Sequence, residues 1–260
     1  MEGVQAVSRA MSLLKIVAAT NGARLLDLVE QSRMPKPTVH RLLKQLIADG
    51  MLMQSANRSY QLGIGAFELG LAASKRFPLR DLAASHMEYL SRETGDSTFL
   101  VIRSGADSLC IERKLGSYPV KVFTVEPGHR QPMGIGAGGL AMLSFLPEAE
   151  QEQMLQLIEP RLTRYPGLTL RSLRNAITET RQRGWAQASD VAVPGVTGIG
   201  VPLLDRKSQP FSAISVGAIS VRMNEAKISH AVSLLTEQSR KLAQALLEGY
   251  LPADLDHVAR

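Results

Sequence analysis

Two prolines set two residues apart in a basic segment, Met34-Pro35-Lys36-Pro37-Thr38-Val39-His40-Arg41, constrain this chain more than any other feature. Proline lacks a backbone N–H and clashes with the preceding helical turn, so it is tolerated only where a helix begins. A helix carrying residues 39–49 must therefore start at residues 35–37, give or take a residue. Val39, Leu42, Leu43, Leu46 and Ile47 recur at helical spacing and form one apolar stripe. At about 100° per residue, the opposite face holds Pro37, Arg41, Lys44, Gln45 and Ala48, flanked by Thr38 and His40. Gly50 supplies the stop. A short apolar segment at residues 25–29, within a helix expected over 25–31, comes just before. Two short helices meeting at a tight turn make a helix-turn-helix, whose second helix offers its N-terminal side chains to a DNA major groove.

A basic amphipathic surface helix would share this pattern, so the next residues matter. Met51 to Gln54 and Tyr60 to Leu62 alternate around the polar turn at residues 55–59, which is the signal of a hairpin. A hairpin directly after such a helix reads as a wing. Its tip places Asn57 and Arg58 near phosphate or the minor groove, with a solvated loop arginine as the alternative for Arg58.

Charge falls in the same place. The 260 residues suggest two domains, each long enough for a buried core. Net charge is +6, but residues 1–77 hold ten Lys and Arg against five Asp and Glu, whereas the remainder holds 20 against 19. Basicity concentrated on one module fits phosphate binding by that module. Cys110 is the only cysteine, which excludes an intrachain disulfide and a cysteine-based metal site; a small buried strand residue is expected there. The first helix interrupts its apolar positions with Arg9 and Lys15, unlike a secretory signal, and the apolar run at residues 134–146 is too short for a bilayer. A cytoplasmic protein is expected, with no membrane partner, no cofactor and no metal.

The expected organisation is a winged helix-turn-helix over residues 1–63, a linker helix over 64–78, a second domain over 79–250 and a frayed tail over 251–260. The first helix traces Val4, Val7, Met11, Leu14 and Val17 and ends at Asn21-Gly22. The linker, about 64–76, is more apolar than a spacer needs, so it should pack on something, most simply a second copy. From residue 79 the pattern becomes α plus β. A helix at 79–93 leads to strands at 97–103, 108–114 and 120–125, then helices near 148–158 and 172–184. An antiparallel pair follows at 198–204 and 211–221, then a long helix from Asn224, a plausible N-cap, to Gly249. One antiparallel sheet covered by helices, an α+β sensor-type module, is the expected result.

From Val7-Ser8-Arg9-Ala10 onward the chain resembles the IclR family of bacterial transcription regulators. The resemblance is carried by Pro35 through Leu43 with Gly50, Tyr60-Gln61-Leu62-Gly63 and Leu69-Gly70. It continues through Pro132 to Leu143, Gly184-Trp185-Ala186, and Pro194-Gly195-Val196 leading to Pro202. It implies a winged helix-turn-helix joined to a GAF/profilin-like effector-binding domain, acting as a dimer or dimer of dimers on double-stranded operator DNA. It implies groove contacts from Lys36, Pro37, Thr38 and Arg41, with Lys44 or Gln45; His40 and Arg58 complete the candidate DNA-binding set. Pro37 stands where the family usually has Ser, leaving apolar contact with a thymine methyl at that position.

Gly134-Ile135-Gly136-Ala137-Gly138-Gly139-Leu140-Ala141 opens a predicted helix whose N-terminus favours an anion, with close helix–sheet packing as the alternative reading of its glycines. It matches no nucleotide motif, lacking a Lys-Ser/Thr pair. The resemblance points to Ala137 and Gly138, beside Gly139, as the amides for the carboxylate of a small organic-acid effector. The remaining candidate positions are Ala188, Asp190, Gly198, Ser215 and Gly217. Here the chain departs from its relatives: Ala188-Ser189-Asp190-Val191 replaces an Asp-x-Glu-Glu run, Gly198 a pocket Cys, and Gly217 one of two paired serines. Polar groups are lost and space is gained. A roomier, more apolar pocket for an aromatic or longer-chain carboxylate is expected.

Other functions find less support. His40, His86, His129, His230 and His257 have no ligand spacing, and Ser215 has no sequence-local base, so no catalytic residue is assigned. RNA recognition usually stacks bases on aromatics, and Tyr60 is the lone aromatic of the winged segment. A winged helix with a non-sensory dimerisation domain, or a small-molecule-processing enzyme, are the alternatives.

Overall fold

The structure is a computed structural model that describes residues 2–20, 22–74 and 78–249. The chain divides after Pro78 into two compact units. Asn21, Lys75 and Arg76, and the expected tail at 251–260, lie outside the described residues.

The first unit runs α1 (Glu2–Thr20), α2 (Leu25–Ser32), α3 (Lys36–Ala48), β1 (Leu52–Gln54), β2 (Tyr60–Leu62) and α4 (Ile64–Ser74). Pro35 is the N-cap of α3 and Pro37 its second residue, where the missing N–H costs nothing. Val39, Leu43 and Leu46 are buried against Leu13, Val17 and Leu28. Leu42 is half-buried and Ile47 is exposed, because both edges of so wide a stripe rotate away from the core.

Gly50 ends α3 in the left-handed region at φ +69°. Its N–H donates to the Ile47 carbonyl at 3.0 Å and the Met51 N–H to the Leu46 carbonyl at 2.8 Å, satisfying carbonyls the helix leaves open. A Cβ at Gly50 would meet only the Gly65 nitrogen at 3.8 Å, so Gly50→Ala is strained by its backbone conformation alone. The expected cost is about 1 kcal/mol, lowering the thermal midpoint of this unit by roughly 4–8 °C in a calorimetric scan.

The wing is rooted tightly beside this turn. Leu52, Met53 and Gln54 pair antiparallel with Leu62, Gln61 and Tyr60. Tyr60 also exchanges both backbone hydrogen bonds with Ala23, at 2.8 and 3.1 Å, which ties the α1–α2 connection to the wing. A Cβ at Gly63 would stand 2.2 Å from the Gly50 carbonyl oxygen, so only glycine lets the chain leave β2 here. Helix α4 then buries no residue: Ile64, Phe67, Leu69 and Leu71 are each more than half exposed.

The second unit runs α5 (Leu79–Thr94), β3 (Ser97–Ser104), β4 (Asp107–Lys114), β5 (Arg130–Pro132), α6 (Ala137–Phe145), α7 (Glu148–Ile158), α8 (Leu170–Arg183), β6 (Ala186–Ser189), β7 (Val196–Leu204), β8 (Pro210–Ile219) and α9 (Glu225–Gly249). Its sheet has the order β5-β4-β3-β8-β7-β6, and each neighbouring pair is antiparallel. Strand alternation sorts the faces. Phe99, Val101 and Ala213 join a core with α6, α7 and α8, while Leu100, Ile214 and Val216 join one with α5 and α9. The expected sheet with helical cover is present, on both faces. Asn224 caps α9, its side-chain oxygen accepting the Lys227 N–H at 2.9 Å.

One expected strand is absent and two were missed. Residues 120–125 form no strand; they lie as a strap against the sheet face that carries Phe99 and Gly217. Val122 and Val125 are buried there, and this spacing of three, together with Pro119 and Pro127, is incompatible with strand alternation. Strands β5 and β6, of three and four residues, are too short to show periodicity. Among the described residues no helix is long and apolar enough to cross a membrane.

Candidate functional site

The outward face of α3 is polar and cationic. Lys36, Pro37, His40, Arg41, Lys44 and Gln45 are exposed and Thr38 is half-buried. Among the described residues, none of Lys36, Arg41 and Lys44 has a carboxylate partner, and the first turn holds no acid. The helix N-terminus thus adds its partial positive charge to theirs. Gln45 is directed along the helix, its Nε2 donating to Asp49 Oδ1 at 2.9 Å. At the wing tip the Asn57 side chain braces its own turn, accepting the Ser59 N–H at 2.9 Å. Arg58, at φ +64°, is exposed beside it. Arginine, not asparagine, is the free group at the tip.

In the second unit, α6 starts directly on the sheet because its first residues are small. A Cβ at Gly138 would lie 2.7 Å from Val101 Cγ2, and one at Gly200 would lie 2.7 Å from the Ala137 carbonyl group. The Leu140 N–H makes the first hydrogen bond of the helix, donating to the Gly136 carbonyl at 2.8 Å. The preceding amides, Ala137, Gly138 and Gly139, have no acceptor within the helix, and Gly136 offers no side-chain cap. All three residues are buried or nearly so, within a cluster closed on its sheet side. Uncapped donors out of water call for an acceptor.

Those amides line a cavity of about 50 Å³. Ala137, Gly138, Gly139, Ala188, Gly198, Ser215 and Gly217 all border it. Asp190 does not: it is exposed in a tight loop at φ +59°, and its Oδ1 accepts the Gly195 N–H at 2.6 Å. Its carboxylate is spent on the loop that carries it. The walls also include Phe99, Val101, Ser108 and Gln131, with Thr124 and Val125 from the strap and Val193 from the β6–β7 loop. The sequence held one signal for these additions, the period-two spacing of Phe99 with Val101 along β3. Thr124 and Val125 were hidden by the strand assigned to them.

The expected gain of room is not found. The space over Gly217 is taken by Phe99, whose Cε2 lies 3.2 Å from a Cβ built there, and by Val122 Cγ1 at 3.6 Å. The space over Gly198 is taken by the Ala137 methyl, at 3.1 Å. Glycine on a sheet face lets neighbours move in, so a lost side chain need not leave a hole. Cys110, in the same core, is buried, and burial pushes its thiol up to about 11, leaving it protonated at neutral pH. Among the described residues no group of His, Cys, Asp and Glu is arranged to hold a metal ion.

Comparison with known proteins places this architecture. The model of the bacterial transcriptional regulator IclR C-terminal domain matches residues 71–244, and that of the IclR helix-turn-helix domain matches residues 6–56. The chain belongs to the IclR family of bacterial transcriptional regulators. It is 26% identical over 243 residues to the HTH-type transcriptional regulator KipR of Bacillus subtilis, covering 92% of this chain and 96% of that one. An IclR transcriptional regulator from Silicibacter sp. TM1040 superposes with a TM-score of 0.82 at 24% identity, over 95% of this chain and 98% of that one. An IclR homolog from Microbacterium hydrocarbonoxydans, solved in complex with 4-hydroxybenzoate, superposes with a TM-score of 0.74 at 22% identity, over 93% and 98%.

Proposed function

We propose that this regulator reads duplex operator DNA through α3 and Arg58, and that a small organic acid, its carboxylate held by the amides of Ala137, Gly138 and Gly139, changes that binding. The observation that carries the second half is the buried, uncapped start of α6 inside a cavity. Three converging N–H groups at a helix N-terminus are the donors a carboxylate needs, and the Ser215 hydroxyl in the same cavity adds a further polar group. That a fold neighbour carries 4-hydroxybenzoate supports a carboxylic acid as the ligand class. DNA as partner implies the cytoplasm as its place of work.

The test is selection of binding duplexes from a random library, followed by titration of the complex with organic acids. The expected result is a two-fold symmetric duplex site from which acids of one size class release the protein, or on which they hold it more tightly. If no acid in a broad panel alters DNA affinity, the sensory reading is wrong. RNA of matched sequence should compete poorly.

The apolar surface of α4 is assigned to a second copy of the chain. Phe67 and Leu71, 63% and 57% exposed, lie one helical turn apart, and no described residue of their own unit buries them. Replacing both with glutamate is expected to halve the sedimentation-derived mass, or to split a dimer of dimers. Operator affinity should fall at least tenfold as paired half-site binding disappears. An unchanged mass would remove α4 from the interface.

A further inference from the structure

We infer that the Phe99 ring sets the size limit of the pocket, confining the effector to short-chain carboxylates and excluding aromatic acids. This rests on the carboxylate reading of the α6 amides given above. Among the described residues Phe99 is the only aromatic side chain bordering the cavity, and it is 4% exposed. It stands on β3 directly across from Ser215 on β8, and its ring reaches the neighbouring Gly217, 3.2 Å from where a Cβ would be. Val122 of the strap closes on the same point at 3.6 Å. Gly217 is therefore the floor on which the ring lies, and the ring fills what the missing side chain vacates.

The volume beside the amides supports this assignment. A cavity of about 50 Å³ holds roughly three or four water-sized groups, whereas a cavity that takes benzene measures about 150 Å³. A carboxylate on a short chain fits beside the amides; a carboxylate on a phenyl ring needs the volume that Phe99 occupies. The exchange is close to one for one, since Phe99→Ala removes a phenyl ring and benzoate brings one. The same ring that makes this pocket small would make it an aromatic-acid pocket by its absence.

The experiment titrates the full-length protein, as wild type, Phe99→Ala and Phe99→Leu, with acetate, glyoxylate, lactate, benzoate and benzene, by calorimetry and thermal shift. Benzene tests the steric role of the ring alone; benzoate tests ring and amides together. The expected result is no ring ligand bound by wild type. Phe99→Ala should gain benzoate affinity at least tenfold and also take benzene, with a smaller gain in Phe99→Leu, which keeps the inference testable if the alanine variant unfolds. Wild type binding benzoate as tightly as the short acids overturns the inference, as does the absence of any gain in both variants. If the variants take benzene but refuse benzoate, the size limit stands and the carboxylate reading falls.

Discussion

Replacing Arg41 with alanine is expected to weaken operator binding about 10- to 100-fold, the ~1–3 kcal/mol that one good bidentate interaction with a base represents. Arg41 is exposed, has no carboxylate partner among the described residues, and follows Pro37 by one turn on the outward face of α3. Its guanidinium has no structural duty, so the variant should keep the wild-type thermal midpoint. Fluorescence anisotropy across a salt series separates two ways in which Arg41 can act. If its guanidinium binds a base, the variant relaxes preference at one operator position and keeps the wild-type salt slope. If it binds a phosphate, the variant holds all duplexes more weakly alike and its slope falls by about one. Lys36→Ala, at the helix start, should show the second pattern. Pro37 cannot donate from its backbone and has no polar side chain, so Thr38 and Arg41 are expected to carry more of the reading than in a relative with serine there. If Arg41→Ala leaves affinity and preference unchanged, the assignment of readout to Arg41 is wrong.

Much of the first unit was legible because its punctuation is local. Pro35, Pro37 and Gly50 fix both ends of α3 by what their backbones can and cannot do, without reference to any other part of the chain. The long second-unit helices were legible from period, and the β7–β8 pair from the two strand-like runs at 198–204 and 211–221. Failures came where a residue answers to the tertiary surroundings. Val120 to Val125 has strand-like composition, yet the sheet face beneath it already holds Gly217 and needs Val122 and Val125 as cover. Asp190 lies at the expected place in sequence, but a left-handed loop turns its carboxylate to Gly195. Glycine at positions 198 and 217 read as space because sequence records the atoms removed and not the Ala137 methyl and Phe99 ring that replace them.

The same distinction makes Gly200→Ala the sharper test of the pocket. A Cβ at Gly200 would stand 2.7 Å from the Ala137 carbonyl carbon and oxygen and 3.0 Å from the Gly138 nitrogen. These are backbone atoms of the amide cluster itself, so relief requires lifting the start of α6 from the sheet. Gly198→Ala, two residues earlier on the same face of β7, meets the Ala137 methyl at 3.1 Å and its other neighbours at 3.8 Å or more, so a shift of a few tenths of an ångström relieves it. Overpacking of the first kind is expected to cost about 3 kcal/mol or more in the second unit, and of the second kind about 1 kcal/mol. Both are read from the denaturation transition of that unit, which is separate from that of the first if the two units unfold independently. Gly200→Ala should also abolish the response to acid while operator binding by α3 persists, because the helix-turn-helix core contains none of these atoms. A Gly200→Ala protein as stable and as acid-responsive as Gly198→Ala would show that the close seating of α6 on β7 is not what builds the site.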